Sequence, residues 1–560
     1  MLIAFICKKK KSEEGDSMWK KIKSLIDMPM KKYVLRQAVC LLFMLIYTVT
    51  SLAFPCFISI IIDKGVALGN NRTIIIYSLL MLGVGGIMIA FQNLQRLEFY
   101  KFAQEIILKL KEKLMTVILS TNLSFWSRNK VGDIFTILEN DVSQIETLLT
   151  TTVSDILVNT LVIIGISSYL LYTDKYIGVI VIILALVFSV FQRKIGEKVK
   201  ADMYKLRNEV GILSSYTSEI LNNVNNIQVS GYKKLVLENY NVKNKNVITY
   251  SINQIRTISF TQLVGASFNV LGIFVVLIIG AYRVNTGTMS IGLLFTLTIY
   301  VQRLYGPIVS LGSSYISIKN TMPIIDKIYS VLNTNNIIAD GNIALDRNIR
   351  GALEFKNLDF SYEINSNANV LRNINFKVEP GTVLGIIGEN GSGKTTLLKL
   401  LMRVCTSQTG DILLDGQRIN NYQLEYFHSQ FAYLLQNPYM MSGNLRDILN
   451  PLHNDIKDIE INEMINYFEL DISKFENGLD TEIGENKLNI SGGEAQKISL
   501  IRLFLENKPF YILDEPTAAI DIESEELICK KLKELLSGKT AIIITHREKI
   551  LEICDEIYRL

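Results

Sequence analysis

Residues 383–401 read VLGIIGENGSGKTTLLKLL, and their reading decides the fold of the second half of the chain. The apolar run from Val383 to Ile387 has the length of a buried strand, and a helical pattern opens at Lys394. Between them Gly388, Gly393, Lys394 and Thr395 keep the spacing G-x-x-x-x-G-K-[ST]. Glycines let backbone N–H groups close around phosphate oxygens, and the helix N-terminus adds about half a positive charge. Lys394 is expected to reach the β- and γ-phosphates of a nucleotide, and the Thr395 hydroxyl to ligate Mg2+. By itself the stretch says phosphate binding and nothing more.

A second stretch supplies the metal side. In FYILDEP, residues 510–516, an apolar strand ends in Asp514 and Glu515. Beside a phosphate loop, Asp514 is expected to hold Mg2+ through water and Glu515 to polarise the attacking water. Without that loop the same residues read as a strand ending in a solvated acidic turn. A third stretch, ISGGEAQ at 490–496, fits a capping box: Ser491 caps the helix that follows, and Glu494 reaches back to the Ser491 N–H.

The chain has 560 residues, too many for one core. Its 58 basic and 54 acidic side chains nearly cancel, which argues against nucleic-acid binding. Six scattered cysteines and three histidines leave no zinc-ligand spacing. Up to about Leu311 long apolar runs alternate with polar stretches. After Gly351 the pattern is that of an α/β domain. A spanning helix needs about 20 apolar residues, and six stretches meet that: 34–61, 73–95, 152–172, 175–192, 258–282 and 289–312.

Lysines and arginines crowd the start and the connections after the second and fourth spans, which places both termini and the nucleotide-binding part in the cytosol. Those two connections keep a helical period, so the membrane helices are expected to continue into the cytosol. NLSFWSRNKVGD, with an exposed-looking Phe125–Trp126 pair, is a candidate tip, the competing reading being an ordinary loop with a buried aromatic pair. The stretch from Met18, MWKKIKSLIDMPMKK, suits a basic amphipathic helix on the inner membrane surface, and Met1 and Met18 both stand as starts. Usage rich in Lys, Ile and Asn points to a bacterium. The expected organisation is a cytosolic segment at 1–32, a membrane domain at 33–330, a linker at 331–350 and a nucleotide-binding domain at 351–560.

Taken together the motifs resemble an ABC exporter over nearly the full length. The resemblance implies an all-α six-helix transmembrane domain followed by an α/β P-loop nucleotide-binding domain. It further implies ATP and Mg2+ as ligands, and ATP-driven export by alternating access. Tyr362 in FSYE stands where that family stacks an aromatic on adenine, and the loop Gly388, Glu389, Asn390, Gly391, Ser392, Gly393, Lys394, Thr395 and Thr396 where it binds ATP. Gln436 matches the Q-loop that contacts Mg2+, TEIGE (Thr481 to Glu485) the X-loop, Asp521 the D-loop and His546 the switch histidine. NLSFWS and the region of SEILNNVNNIQVSGYKK match the coupling helices.

In that family the signature loop, here Ser491, Gly492, Gly493 and Glu494, contacts ATP held by the opposite half. Where the family has Gln, this chain has Glu494. At about 10 Å and an effective dielectric near 20, a unit of opposing charge costs roughly 1.7 kcal/mol, and the helix dipole returns about 0.3–1 kcal/mol. Glu494 is therefore expected to tune the site. Intact Glu515 and His546 favour a homodimer of two such halves, while Glu494 leaves a heterodimer open. An ATP-gated channel or sensor would share every motif. Peptide, drug-like amphiphile and lipid all stand as substrates. Thr296, Tyr300 and Arg303 share one face of the sixth span as a candidate substrate face, with snorkelling of Arg303 the competing reading.

Overall fold

The computed structural model describes residues 30–344, 348–362, 369–407, 409–436, 439–453, 455–484, 490–520 and 522–560. The amphipathic reading of the N-terminal segment, Glu485 of the X-loop and Asp521 lie outside them. Two compact units are present: one runs to Thr334 but leaves out Ser120–Lys130, and the other joins Ser120–Lys130 to Asn335–Leu560.

The first unit is helical. Helix α1 (Met30–Ile60) is prolonged by a π-helical turn, Ile61–Val66. Helix α2 spans Asn71–Leu119, and α3 (Leu123–Arg128) belongs to the second unit. Next come α4 (Val131–Thr173), α5 (Lys175–Asn222), the short α6 (Val224–Val229), α7 (Lys233–Asn285) and α8 (Ile291–Leu332). Helices α2, α5 and α7 have 49, 48 and 53 residues. At about 1.5 Å per residue each is more than twice the roughly 30 Å of a bilayer core, so the membrane helices do continue beyond it.

Among the described residues α1, α2, α4, α5 and α7 are long and apolar enough to cross a membrane. Helix α8 carries the sixth expected span but falls below them in apolarity, because Thr296, Thr298, Tyr300, Gln302 and Arg303 dilute it. It is buried by its neighbours instead: Thr296, Leu297, Val301 and Leu304 are fully covered.

The polar face of α8, read as a candidate substrate face or as a place where Arg303 snorkels or pairs, makes contacts to α1. Pro55 inside α1 has no N–H, so it leaves the carbonyl of Ser51 without its helical donor. Arg303 Nη1 donates to that oxygen at 3.0 Å, with its guanidinium 6.0 Å from the Phe54 ring centroid. One turn away the Tyr300 hydroxyl donates to Leu52 O and lies 3.3 Å from Cys56 Sγ. Thr296 Oγ1 donates to Pro55 O at 3.1 Å. All three side chains thus serve α1. The opposite ends are tied by carboxylates: Asp63 accepts from the Gly292 N–H at 2.8 Å and Ser290 Oγ at 2.6 Å, and buried Asp174 caps α5 while pairing with Arg283 of α7.

In the second unit, strands β1 (Leu353–Phe360), β2 (Leu371–Val378), β4 (Thr409–Leu414) and β5 (Gln417–Arg418) form an antiparallel sheet in the order β2-β1-β4-β5. A parallel sheet follows the order β11-β3-β10-β9-β6, from β3 (Val383–Ile387), β6 (Phe431–Leu434), β9 (Phe510–Asp514), β10 (Thr540–Ile544) and β11 (Glu556–Arg559). Strands β7 (Gly443–Asn444) and β8 (Glu482–Ile483) pair separately. Side chains alternate along a strand, so Ile542 and Ile544 enter one apolar core while Ala541 and Ile543 enter the other. Helices α9 (Lys394–Leu401), α10 (Gly492–Leu505) and α11 (Ile522–Leu536) supply residues to those cores.

Described residues within the stretch expected as a linker are bonded to this unit. Asn342 and Ile343 N–H donate to Asn421 O, and Ile349 N–H to Gln430 Oε1. The α3 tip joins the same stretch: Asn122 N–H donates to Asn336 O and Ile338 N–H to Ser120 O, both at 2.9 Å, while Leu123 N–H donates to Val404 O at 3.0 Å. Phe125 of the tip is 3% exposed, so the expected exposed aromatic pair is in fact anchored by a buried ring.

The role of Arg303 has a direct check. Arg303→Met should lower the thermal midpoint of the detergent-solubilised chain by an amount equivalent to about 1 kcal/mol. In a Pro55→Ala background, where the N–H restored at position 55 can serve Ser51 O, the same change should cost clearly less. Equal losses in the two backgrounds would rule out that carbonyl as the partner of Arg303.

Candidate functional site

Parallel register builds the site. Ile544 of β10 pairs with Ile386 of β3 on one side and Asp514 of β9 on the other, so three strand ends lie at one level. Ligands of open α/β sheets bind beyond such carboxyl ends. The loop after β3, the Asp514–Glu515 pair and His546 all issue there.

The loop closes tightly. Gly393 has φ +100°, and a Cβ there would lie 2.6 Å from Leu371 Cδ2. A Cβ on Gly388 would meet Ser392 Oγ at 2.7 Å. Lys394, 8% exposed, folds into the loop and donates to Gly388 O at 2.7 Å and Glu389 O at 2.9 Å. Ser392 Oγ is buried with no hydrogen-bond partner in the structure. An orphaned hydroxyl inside a ring of loop amides is what a phosphate oxygen would satisfy, so the loop fits a nucleoside triphosphate. Thr395 faces solvent at the helix start, and Thr396 is buried with its Oγ1 2.9 Å from the Tyr362 hydroxyl. The Tyr362 ring is half exposed and packed edge-on to Phe360.

Asp514 is 4% exposed, and burial together with the charge of Glu515 pushes its carboxyl up to about 6, against the opposing pull of Lys394 and Lys399. Glu515 adopts φ +50°, a left-handed backbone that aims its side chain out of the strand line. Its carboxylate lies 3.9 Å from His546 Nε2, beyond hydrogen-bond length. Gln436 is exposed on the loop after β6.

Two residues that sequence reasoning missed hold this arrangement. Gln496 on α10 is 1% exposed; its Nε2 donates to Glu515 O at 2.8 Å and its Oε1 accepts the Ala519 N–H at 2.8 Å. A lone amide within the apolar helix AQKISLIRLFL was the available signal. The other is Lys474. The expected capping box is present: Ser491 Oγ accepts from the Glu494 N–H at 3.3 Å, and Glu494 Oε2 accepts from the Ser491 N–H at 2.8 Å. Beyond it, Lys474 Nζ donates to Glu494 Oε1 at 2.6 Å. That ion pair, then the Ser491 N–H, hold the Glu494 carboxyl down to about 2. Folding lowers this carboxyl, so its stabilisation is complete above about pH 4.5 and is lost as pH falls toward 2.

For Asp514 the sign reverses. Folding raises this carboxyl, so its charged form weighs against the native state increasingly as pH rises through roughly 4 to 6. Asp514→Asn should therefore keep or raise the thermal midpoint of the nucleotide-free chain at pH 7.5, by on the order of 2–3 kcal/mol at most, while ATP turnover is lost. A fall in midpoint would show that the charge is not a burden on the fold.

Comparison with known proteins adds an independent line. Residues 38–308 match the family model of the ABC transporter transmembrane region, and residues 371–518 the family model of the ABC transporter. A candidate export ATP-binding/permease protein of Rickettsia prowazekii is 26% identical, the match covering 89% of this chain and 87% of that protein. A candidate multidrug export ATP-binding/permease protein of Bacillus subtilis is 25% identical over 90% of this chain and 89% of its own. The solved structure of a bacterial Atm1-family ABC exporter with ATP bound shares the fold, with a TM-score of 0.79 at 21% identity, covering 94% of this chain and 93% of that one.

Proposed function

This chain belongs to the ABC transporter family as an ATP-hydrolysing exporter embedded in the membrane, and on that premise we propose that it works as one half of a homodimer in the cytoplasmic membrane, with its ATPase part in the cytosol. The observation that carries the reading is the convergence of the Lys394 loop, Asp514, Glu515 and His546 at neighbouring strand ends.

In this reading the loop amides from Glu389 to Lys394, with the Ser392 hydroxyl and the Lys394 ammonium, hold the phosphates of ATP. Tyr362 stacks on the base. Mg2+ would neutralise phosphate charge, with Thr395, Gln436 and, through water, Asp514 as the residues to hold it. Glu515 orients and deprotonates the attacking water, and His546 steadies the γ-phosphate. Ser491, Gly492, Gly493 and Glu494 close on the nucleotide of a second copy, and Asp521 matches the family's D-loop in sequence. Support for a second chain comes from α6, which buries none of its residues and leaves Val229 91% exposed in the stretch that resembles a coupling helix. The acid at 494 favours one competing arrangement, a heterodimer with a second, different half.

Substrate class follows from the first unit. A cavity of about 960 Å³ lies among α4, α5, α7 and α8. Ile163, Leu186 and Ile308 give it an apolar wall, while Arg193, Glu197 and Lys319 bring charge to it. Such a lining suits an amphiphile better than a small polar solute.

The test is ATP turnover by the chain purified alone in lipid nanodiscs, beside Glu515→Gln. Robust turnover that falls at least about 100-fold in the variant is the expected result. A wild-type rate no higher than that of the variant would end the homodimer reading and point to a partner half.

A further inference from the structure

The acid in the signature loop has its own counter-ion, and nothing in the capping box requires it. Glu494 Oε2 already completes that box with the Ser491 N–H and hydroxyl, each at 2.8 Å. Its second oxygen, Oε1, is taken by Lys474, which lies on a separate 3-10 turn, Ile472–Lys474, 20 residues earlier in the chain. A Gln at 494 would close the same box without a charge, so the ammonium matters only because the residue is an acid. The carboxylate is 15% exposed and the lysine 58% exposed, so the pair stands at the surface the loop presents. Both oxygens are turned onto the protein's own donors, and the pair's far field is that of a dipole, weaker at phosphate distance than that of a bare acid.

We propose that Lys474 is a positioning residue for nucleotide closure: by pairing with Glu494 it lets a loop carrying an acid face a triphosphate. The proposal rests on the reading above, in which Ser491–Glu494 closes on the ATP of a second copy. Asp471, next to the pair, is the acid that competes for Lys474; its carboxylate is itself occupied by the Ser473 N–H and hydroxyl at 3.1 and 2.6 Å.

The experiment measures ATP turnover of the full chain in nanodiscs against ATP concentration, at about 50 mM and about 500 mM salt. Lys474→Met should raise KM for ATP about three- to ten-fold at low salt and less than about two-fold at high salt, where screening shortens the reach of Glu494. Its kcat at saturating ATP should change less than about two-fold, because the groups that act on water are untouched. Lys474→Arg should keep the wild-type KM. In a Glu494→Gln background, Lys474→Met should leave KM as Glu494→Gln alone sets it. A KM rise of the same size in that background would assign Lys474 to packing of its turn and overturn the proposal. So would an unaltered KM in Lys474→Met beside robust wild-type turnover, an outcome that leaves the homodimer reading intact. Wild-type turnover no greater than that of Glu515→Gln removes the homodimer reading first, and this proposal with it.

Discussion

The parallel register of β3, β10 and β9 is the constraint on which the catalytic end depends. Because Ile386, Ile544 and Asp514 stand level, the phosphate loop, the acidic pair and the histidine leave the sheet side by side. A one-residue slip would turn Asp514 to the opposite face, into the apolar core that its neighbour Leu513 occupies. Strand β10 itself is buried along its whole length. The same register also explains the cost carried by Asp514: its position is buried, and burial works against its charge.

Elsewhere the structure repeatedly assigns a side chain to a backbone oxygen left without a helix or strand partner. Arg303 serves the Ser51 carbonyl freed by Pro55, Lys394 serves the carbonyls of its own loop, and Gln496 serves Glu515 at the turn beyond β9. In hydrocarbon such an oxygen has no water to turn to. In the proposed function the Lys394 contacts would be exchanged for phosphate, the stronger acceptor for an ammonium. The first of these contacts fixes a helix pair, and the second holds a lysine ready for exchange.

Local grammar was well legible. The strand–loop–helix around Lys394, the strand ending at Asp514 and the Ser491–Glu494 capping box each depend on residues within about ten positions, and all are present as read. The long helical extensions were legible because their apolar period continues past the spans. What escaped was set by distance along the chain. Arg303 meets a carbonyl 252 residues away, and nothing near either residue announces the other. Lys474 carries no local signal of its own, and only the fold brings it to Glu494. Phe125 looked exposed because nothing in its local sequence marks the ring as buried, at 3% exposure.

The unit that handles nucleotide is not contiguous in the gene. Ser120–Lys130, coded far upstream, is stitched to it by Thr121 pairing with Ile337 and by Leu123 at Val404. Recombination between relatives at the apparent boundary near residue 351 would hand the ATPase a foreign tip and a foreign linker stretch. Backbone bonds tolerate most side-chain changes, so the stitch itself could survive such an exchange. The burial of Phe125 could not be taken for granted, because it demands a matching hollow. Lineages that shuffle these halves would therefore be expected to inherit the tip and the ATPase together, as though they were one coding segment split in two.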